Sequence, residues 1–398
     1  MATYPTPIHS APEPRPRVNR QVLELPPSGI RVFFDLVAGK PGVVSLGVGE
    51  PDFSTPWHIC EAGIYSLERG HTSYTSNSGT PQLREELAVY LQRKFNAVYD
   101  PAKEFIITVG GSEALDLAFR SLLEPGDEAI VLDPSFVSYA PLAALAGGTP
   151  VCVPSSIENQ FLPRLEDLEK AVSPKTRAII VNYPNNPTGA ALNQSQAEEI
   201  ADFVLRHDLT LISDEIYMEL SYEGRPATFT SIPEIRDRLI LLGGFSKAWA
   251  MTGWRLGFAA GPSDFIAAMT KIHQYSIMCA PTTAQEAAVE ALRHGDDEVE
   301  RMRKEYDARR RYIVHHFNRI GLDCLSPKGA FYVFPSIRST GLSSQQFAER
   351  LLEKENVAVV PGPAFGKCGE GHIRCSYAAS FEDIQEAIQR IERFINTL

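Results

Sequence analysis

The chain has 398 residues, more than one hydrophobic core usually holds, so its length predicts two structural units. Its composition, 44% apolar and 22% charged, is that of an ordinary globular protein. A net charge of −11, from 38 basic and 49 acidic residues, argues against nucleic acid or an anionic membrane as a partner. No run approaches the roughly 18 uninterrupted apolar residues of a membrane span, and we expect none.

Six cysteines are scattered along the chain without any C-x-x-C pair. In a chain of this length they indicate reduced thiols in a reducing compartment, for which we expect the cytoplasm. The nine histidines form no H-E-x-x-H motif, and the adjacent His315 and His316 would point to different faces of a helix. We therefore expect no metal site.

The N-terminal residues 1–19 hold five prolines and show no apolar period, which predicts a flexible arm. They contain no apolar core of a signal peptide, and the prolines oppose an amphipathic transit peptide. The chain then becomes apolar and helix-like over residues 22–48. We expect the structured part of the protein to begin near residue 20.

The centre of the chain alternates short runs of Val, Ile and Leu with helical stretches. This alternation predicts an α/β fold with a mostly parallel sheet buried on both faces. Ligands in such sheets bind beyond the carboxyl ends of the strands. The predicted strands are 104–109, 128–132, 149–153, 178–181, 209–212 and 239–242.

A smaller α+β unit is predicted after a long helical stretch that follows Pro281. We expect a large domain over residues 50–290 and a small domain built from 20–49 and 291–398. The elements predicted for the small domain are a strand at 329–334, a helix at 344–354, strands at 357–360 and 373–376, and a terminal helix at 382–396.

One lysine stands in an unusual setting, the segment 244–257. Lys247 follows Ser246 among apolar residues, and Arg255 lies eight positions further on. A lysine picked at random is a solvated surface residue, but burial and a cationic neighbour would both favour a neutral amine here. Such an amine suits an imine with an aldehyde whose phosphate is held nearby, which is the chemistry of pyridoxal phosphate.

Two further segments are candidates for ligand contacts. Val109-Gly110-Gly111-Ser112 joins a predicted strand to a helix, where backbone N–H groups can bind an anion. A tight turn without a ligand is the alternative interpretation of the paired glycines. The string 182–189, Asn-Tyr-Pro-Asn-Asn-Pro-Thr-Gly, follows a buried run and carries amides at the sheet edge. A proline-rich loop with local Asn turns is the alternative reading.

Two ionisable residues lie in or at the end of buried strands. Asp214 would need a cation or strong donors there, and could keep a pyridinium nitrogen protonated; capping the next helix is the alternative. Arg374 has a planar fork that matches a carboxylate in two-point contact, with an internal salt bridge as the alternative.

Taken together and in this order, the strings N-N-P-T-G, S-D-E-x-Y and S-K-x-x-x-M-T-G-W-R-x-G, followed by Arg374, resemble the fold type I pyridoxal-phosphate aminotransferases of class I. The resemblance covers residues 21–398. It implies a large domain with a mostly parallel central sheet flanked by helices, and a smaller α+β domain.

The resemblance also implies catalytic roles. Lys247 would hold the cofactor covalently and then move the α-proton of the substrate. Asp214 would face the pyridine nitrogen, and Asn186 and Tyr217 would bond the phenolic oxygen. The substrate carboxylate would be clamped by Arg374, helped by Asn186 and the backbone of Gly49.

The remaining implied contacts concern the rest of the cofactor and a second subunit. Phe136 would stack on the ring, and Tyr74 would reach the phosphate of the neighbouring subunit, which implies a homodimer. The residues expected to hold the phosphate are Gly111, Ser112, Ser246 and Arg255.

The implied reaction is a ping-pong transfer of an amino group from an amino acid to a 2-oxo acid such as 2-oxoglutarate. Segments 28–34, 329–334 and 361–366 look most like the aromatic and broad-specificity branch, and segment 271–279 holds no arginine for a distal carboxylate. We therefore favour an aromatic donor and leave aspartate open. A β-eliminating C–S lyase on the same cofactor is the alternative.

Two smaller expectations complete the sequence analysis. A transcription regulator built on the same core would need a DNA-binding domain before it. Only about 20 residues precede the core here, and the chain as a whole is acidic, so we do not expect one. The peptide bonds Asn186–Pro187 and Asp133–Pro134 are expected to be cis, as the resemblance implies.

Overall fold

A sheet of seven strands runs through the part of the chain that the computed structural model describes, residues 17–27, 29–30, 40–224 and 227–398. Its spatial order is β2-β8-β7-β6-β5-β3-β4. In chain order, the strands of the described residues are β1 Val44–Ser45, β2 Phe105–Thr108, β3 Glu128–Asp133, β4 Thr149–Pro154, β5 Thr176–Asn182, β6 Thr210–Asp214, β7 Leu239–Gly244, β8 Gly257–Ala260, β9 Tyr332–Val333, β10 Val357–Ala358, β11 Val360–Pro361 and β12 Ile373–Ser376.

The large sheet is mostly parallel, as predicted. Strands β4, β3, β5, β6 and β7 run parallel to one another, whereas β8 is antiparallel to both β7 and β2. The six strands predicted from apolar runs are all present, with ends shifted by at most two residues. Strand β8 was not predicted, because Gly257, Ala259 and Ala260 lack the bulky apolar side chains that mark the other strands.

Helices cover this sheet and complete the smaller unit. The helix Gly111–Leu122 buries Ala114, Leu115, Leu117 and Phe119, which pack with strand residues of the sheet in one apolar cluster. The α-helices with described bounds are Arg20–Glu24, Trp57–Glu68, Pro81–Phe95, Gly111–Leu122, Tyr139–Leu145, Leu165–Ala171, Gln194–Arg206, Ser263–Ser276, Thr282–His294, Asp296–Arg319, Ser344–Glu355 and Phe381–Ile395.

The helical stretch predicted after Pro281 is divided into two helices at Gly295. A side chain is excluded there, since a Cβ on Gly295 would lie 2.5 Å from the carbonyl oxygen of Ala291. The second helix opens with Asp296, Asp297 and Glu298, whose negative charge favours a helix N-terminus.

Short strands form two smaller sheets near the second half of the chain. Strand β1 pairs in parallel with β10, and β11, β12 and β9 form an antiparallel sheet. The predicted strand 357–360 is divided into β10 and β11, and the predicted strand 329–334 is reduced to β9. The α+β character of this part agrees with the prediction; the domain boundaries stay a prediction.

Several other expectations can be compared with the described residues. The bonds Asp133–Pro134 and Asn186–Pro187 are cis, as predicted, and Tyr183–Pro184 is cis as well. None of the described helices combines the length and apolar character needed to cross a membrane. Within the same residues, no cluster of three or more His, Cys, Asp or Glu side chains has the arrangement of a metal site. The arm 1–19 and the segment 28–34 lie largely outside the described residues.

Candidate functional site

A cavity of about 730 Å³ opens beyond the carboxyl ends of the parallel strands. Its position is the one expected for a ligand in a sheet of this topology, and its volume suits a small molecule. Every site residue predicted from the sequence lines it, with the exception of Tyr74: these residues are Gly49, Gly111, Ser112, Phe136, Asn186, Asp214, Tyr217, Ser246, Lys247, Arg255 and Arg374.

Lys247 enters this cavity from the segment that follows β7. Its Nζ donates a hydrogen bond of 2.6 Å to the carbonyl oxygen of Gly49. The amine is open to the cavity and otherwise enclosed by protein. Burial, followed by the positive charges of Arg374 and Arg255, lowers the pKa of Lys247 from 10.5 to about 8, against an opposing effect of Glu50. A substantial neutral fraction is therefore available near neutral pH for attack on a carbonyl.

Asp214 ends strand β6 and points into the same cavity. Its Oδ2 accepts a hydrogen bond of 2.7 Å from the hydroxyl of Tyr139, and its Oδ1 accepts one of 3.2 Å from the N–H of Ile216. Burial raises the pKa of this carboxyl, and both bonds oppose the rise. Since these donors are neutral, the carboxylate remains able to take a cationic N–H donor from a ligand.

The turn between β2 and the helix Gly111–Leu122 forms an anion-binding corner. Gly110 has φ of +80°, and a Cβ there would lie 2.8 Å from Nη2 of Arg255. A Cβ on Gly257 would lie 2.5 Å from the carbonyl carbon of Gly110. Bare backbone is therefore required at both positions, and it brings helix N–H groups and a guanidinium to one point, a combination that suits a phosphate.

Arg374 lies in β12 and is 1% exposed. Its Nη1 donates to Oδ1 of Asn186 at 3.0 Å, and its Nη2 donates to the carbonyl oxygen of Gly47 at 2.6 Å. The guanidinium carbon lies 4.5 Å from the ring centroid of Tyr332 and 4.7 Å from that of Phe365. These partners are neutral, so the internal salt bridge considered from the sequence is not what the described residues form. The positive charge stays available for a carboxylate.

Tyr217 and Phe136 complete the wall near Asp214. The hydroxyl of Tyr217 lies 2.8 Å from that of Tyr332, which in turn donates to the Gly49 carbonyl at 3.3 Å. Burial raises the pKa of Tyr217 well above its ordinary value, so this hydroxyl is a donor at neutral pH. The ring of Phe136 lies edge-to-face with that of Tyr139, at 5.6 Å between centroids.

Some site residues were not identified from the sequence. Tyr139 was assigned no role, and Tyr332 lies in the segment 329–334 that favoured the aromatic branch but was not itself named as a site residue. Asn182 begins the N-Y-P-N-N string; its side chain donates to the Asp214 carbonyl at 2.8 Å and accepts from the Asn186 N–H at 3.0 Å. Its place four residues before Asn186, at the start of the same string, was the signal that could have found it. Tyr74, which was predicted, is 81% exposed and does not line the cavity.

Comparison with known proteins gives the family. Residues 41–391 match the family described as aminotransferase class I and II. The chain belongs to this family. An aspartate aminotransferase from Pyrococcus abyssi (strain GE5 / Orsay) is 47% identical over 93% of this aminotransferase and 96% of its own length. The aromatic-amino-acid aminotransferase 2 of Thermococcus litoralis is 45% identical, over 93% and 96%. A solved aromatic aminotransferase from Pyrococcus horikoshii OT3 superposes with a TM-score of 0.88 and 45% identity, over 92% and 99%.

This aminotransferase is therefore a pyridoxal-phosphate enzyme that moves an amino group from an amino acid to a 2-oxo acid. Its residues fit that cofactor: an amine of lowered pKa, a buried carboxylate with neutral donors only, and a glycine corner beside Arg255. When bound, pyridoxal phosphate supplies an electron sink for breaking a bond at Cα. The comparisons favour this activity over the C–S lyase.

Proposed function

We propose that this aminotransferase takes aromatic amino acids as donors and 2-oxoglutarate as acceptor. The observation that carries the proposal is the placement of Lys247 and Arg374 in one cavity whose remaining walls include Ile30, Val48 and Tyr332. A side chain of phenylalanine or tyrosine would gain apolar contact there. An aspartate aminotransferase and an aromatic-amino-acid aminotransferase have similar sequence identities to this chain, 47% and 45%, so the names of relatives do not decide between the two donors.

Charge supports an apolar donor over an acidic one. Among the described residues that line the cavity, the lysine and arginine side chains are Lys247, Arg255 and Arg374. Each has a role in our proposal that leaves it unavailable for a second carboxylate. Glu50 adds a negative charge to the same cavity, which disfavours an acidic side chain further. Acceptance of 2-oxoglutarate would then need a cation from another part of the chain or from a partner.

Each cavity residue has a defined task in the proposed reaction. Arg374 and Asn186 hold the α-carboxylate, with the Gly49 backbone beside it. This would decide which bond at Cα is broken once the cofactor is bound. Lys247 would remove the proton from Cα and later return it. Asp214 would hold a proton at the pyridine nitrogen of the cofactor.

Further contacts keep the cofactor in place. Tyr217 and Asn186 would donate to its phenolic oxygen, and Phe136 would pack against its ring. The phosphate would be held at the anion-binding corner, by Gly111, Ser112, Ser246 and Arg255.

We also propose that the enzyme is a cytoplasmic homodimer in which Tyr74 reaches the phosphate of the second subunit. Tyr74 is 81% exposed, and the helix Trp57–Glu68 exposes Trp57, Ile64, Tyr65 and Leu67. A second copy of the chain would cover this apolar surface. The six cysteines are all free thiols, which supports a reducing compartment.

The proposed division into domains follows the apolar clusters. One cluster joins Leu46 to many residues between 302 and 394 and also holds Tyr217, Leu220 and Ala250, whereas three others lie within residues 59–299. These cores support a large domain over 50–290 and a small domain built from 20–49 and 291–398.

The test of the substrate is a spectral titration of the purified enzyme loaded with cofactor. Phenylalanine, tyrosine, aspartate and glutamate are added one at a time, and loss of the visible absorption band is followed by stopped flow. We expect the aromatic donors to react with the highest kcat/KM. A faster reaction with aspartate would overturn the aromatic assignment and leave the aminotransferase activity intact. Release of pyruvate and ammonia from cysteine conjugates, without any acceptor, would favour the lyase.

A further inference from the structure

A buried carboxylate–imidazole pair lies behind the anion-binding corner and takes no part in the chemistry described so far. Nδ1 of His273 lies 2.6 Å from Oε1 of Glu113. The other carboxylate oxygen, Oε2, accepts a hydrogen bond of 2.5 Å from the N–H of Val109. His273 is 0% exposed, and the Glu113 side chain is 11% exposed. This geometry joins the helix Ser263–Ser276 to the turn that contains Gly110.

The Glu113–His273 pair contacts the anion-binding corner on one side, and Gly257 and Arg255 fix the corner on another. Gly257 packs so closely on the Gly110–Gly111 peptide that a Cβ would lie 2.5 Å from the Gly111 nitrogen. Arg255, with φ of +52°, presses its guanidinium against Gly110. The turn is thus enclosed between the strand that begins at Gly257 and the Glu113 carboxylate.

The carboxylate has two opposing electrostatic effects at this place. In the first turn of the helix it interacts favourably with the helix dipole and reaches back to the Val109 N–H, as a glutamate at this helix position commonly does. Its negative charge, however, opposes a phosphate bound a few residues away. The imidazole reduces that cost, because its Nδ1–H fixes the carboxylate in one orientation and draws its charge away from the corner. The other imidazole nitrogen, Nε2, is buried without a partner among the described residues.

We propose that Glu113 and His273 are positioning residues for the cofactor's phosphate. They fix the backbone of Gly110, Gly111 and Ser112 in the orientation that aims the first helical N–H groups at the anion. The inference rests on the proposed placement of the phosphate at this corner. Neither residue touches the ligand, so their effect is confined to how well the corner is formed before binding.

The test compares two probes that differ only in the phosphate. Apoenzyme is titrated with pyridoxal phosphate and with pyridoxal, and the ratio of the two dissociation constants is the readout. Both probes react with Lys247, but only the first uses the corner. For Glu113→Ala we expect pyridoxal phosphate to bind at least about tenfold more weakly, the scale of one lost hydrogen bond to a charged group, with pyridoxal affinity unchanged.

Two substitutions of His273 separate positioning from general packing. His273→Asn keeps an N–H donor near the position of Nδ1, whereas His273→Leu removes it. We expect the asparagine variant to keep most of the selectivity for the phosphate and the leucine variant to lose it. Equal behaviour of the two variants, or equal weakening of both probes, would overturn the inference. These variants also serve if Glu113→Ala does not fold.

Two more variants distinguish failure of the positioning role from failure of the proposed phosphate placement. Asp116→Asn changes a carboxylate on the same helix that pairs with Arg120 on the surface, and it should leave the ratio unchanged. Arg255→Lys tests the placement of the phosphate itself. Loss of selectivity in Arg255→Lys with none in the Glu113 and His273 variants would refute the positioning role alone. Unchanged selectivity in all of them would refute the placement of the phosphate.

Discussion

Nη1 of Arg374 donates a hydrogen bond of 3.0 Å to Oδ1 of Asn186, across 188 residues of sequence. Its second terminal nitrogen donates to the carbonyl of Gly47. Two neutral acceptors thus orient the guanidinium plane between the rings of Tyr332 and Phe365, without neutralising its charge. The substrate carboxylate meets a cation that is already in place, which lowers the entropic cost of binding.

Replacing Arg374 by lysine keeps the positive charge but should still lower kcat/KM strongly. Lysine cannot reproduce the planar fork, and the acceptors of Asn186 and Gly47 would lose a bond each. We expect kcat/KM to fall about 10²-fold, equivalent to ~3 kcal/mol, mainly through a higher KM for every donor. Steady-state kinetics checks this, with the half-exposed Arg319→Lys as the control. A fall in kcat alone would contradict a role in carboxylate binding.

The rate at which apoenzyme takes up pyridoxal phosphate should depend on the protonation of Lys247. Only the neutral amine attacks the aldehyde, and the pKa of Lys247 is lowered from 10.5 to about 8. At pH 7 about one tenth of the amine is neutral, several hundredfold more than for an ordinary lysine. We expect the stopped-flow rate to rise with pH and to level off above about pH 8. A rate that keeps rising to pH 10 would contradict the lowered pKa.

The same shift has a consequence for stability. Between pH 8 and 10.5 the unfolded chain binds a proton at Lys247 that the folded apoenzyme has released. The contribution of this group to the free energy of unfolding therefore rises with pH across that window. The free energy of unfolding, measured as a function of pH, checks this. Lys271→Ala, which changes an exposed lysine, is the control for this measurement and for the rate of cofactor uptake.

Tyr139→Phe should change the pH profile more than the maximal rate. The Tyr139 hydroxyl donates to Asp214 and lowers the pKa of that carboxyl, which burial raises. Without this donor the pKa of Asp214 rises further, so the ionised form is lost at a higher pH. We expect the acidic limb of the kcat/KM profile to move upward by up to about one pH unit. An unmoved limb would be inconsistent with this linkage; Tyr312→Phe provides the control on a distant tyrosine.

Mixed dimers test the proposed exchange of Tyr74 between subunits. Tyr74→Ala should weaken cofactor binding about tenfold, the scale of one hydrogen bond to a charged group, and Lys247→Ala should abolish turnover. In a hybrid of the two variants, the subunit that keeps Lys247 receives an intact Tyr74 from the other. We expect its cofactor affinity to return to the wild-type value. Failure of the hybrid to recover, in a dimer verified by sedimentation, would show that Tyr74 acts within its own subunit or not at all.

The strands were predictable because buried parallel strands carry long apolar runs. Strand β8 was not, since its two alanines and one glycine are small to allow close packing, as at Gly257 against Gly110. The division at Gly295 was missed for a related reason. Close backbone contact there is a property of the folded chain, and the helical pattern continues on both sides of it.

The site residues that lie within short sequence motifs could be predicted. Lys247, Asp214, Asn186 and Arg255 each lie within a short motif, and all line the cavity. The supporting residues Tyr139 and Tyr332 could not be assigned, because a buried tyrosine has the same sequence signature whether its hydroxyl serves a ligand or the core. The contact of His273 with Glu113 joins residues 160 positions apart, and no local pattern links them.

The guanidinium of Arg374 is anchored by acceptors that lie 188 and 327 residues away along the chain. Affinity for an α-carboxylate therefore exists only when three remote stretches of backbone have all reached their final positions. An inhibitor with an α-carboxylate would act as a pharmacological chaperone, raising the melting temperature by mass action on the complete native state. Partly folded chains that already contain their helices would not bind the inhibitor. The amount of inhibitor bound would therefore measure the fraction of native molecules in a refolding mixture.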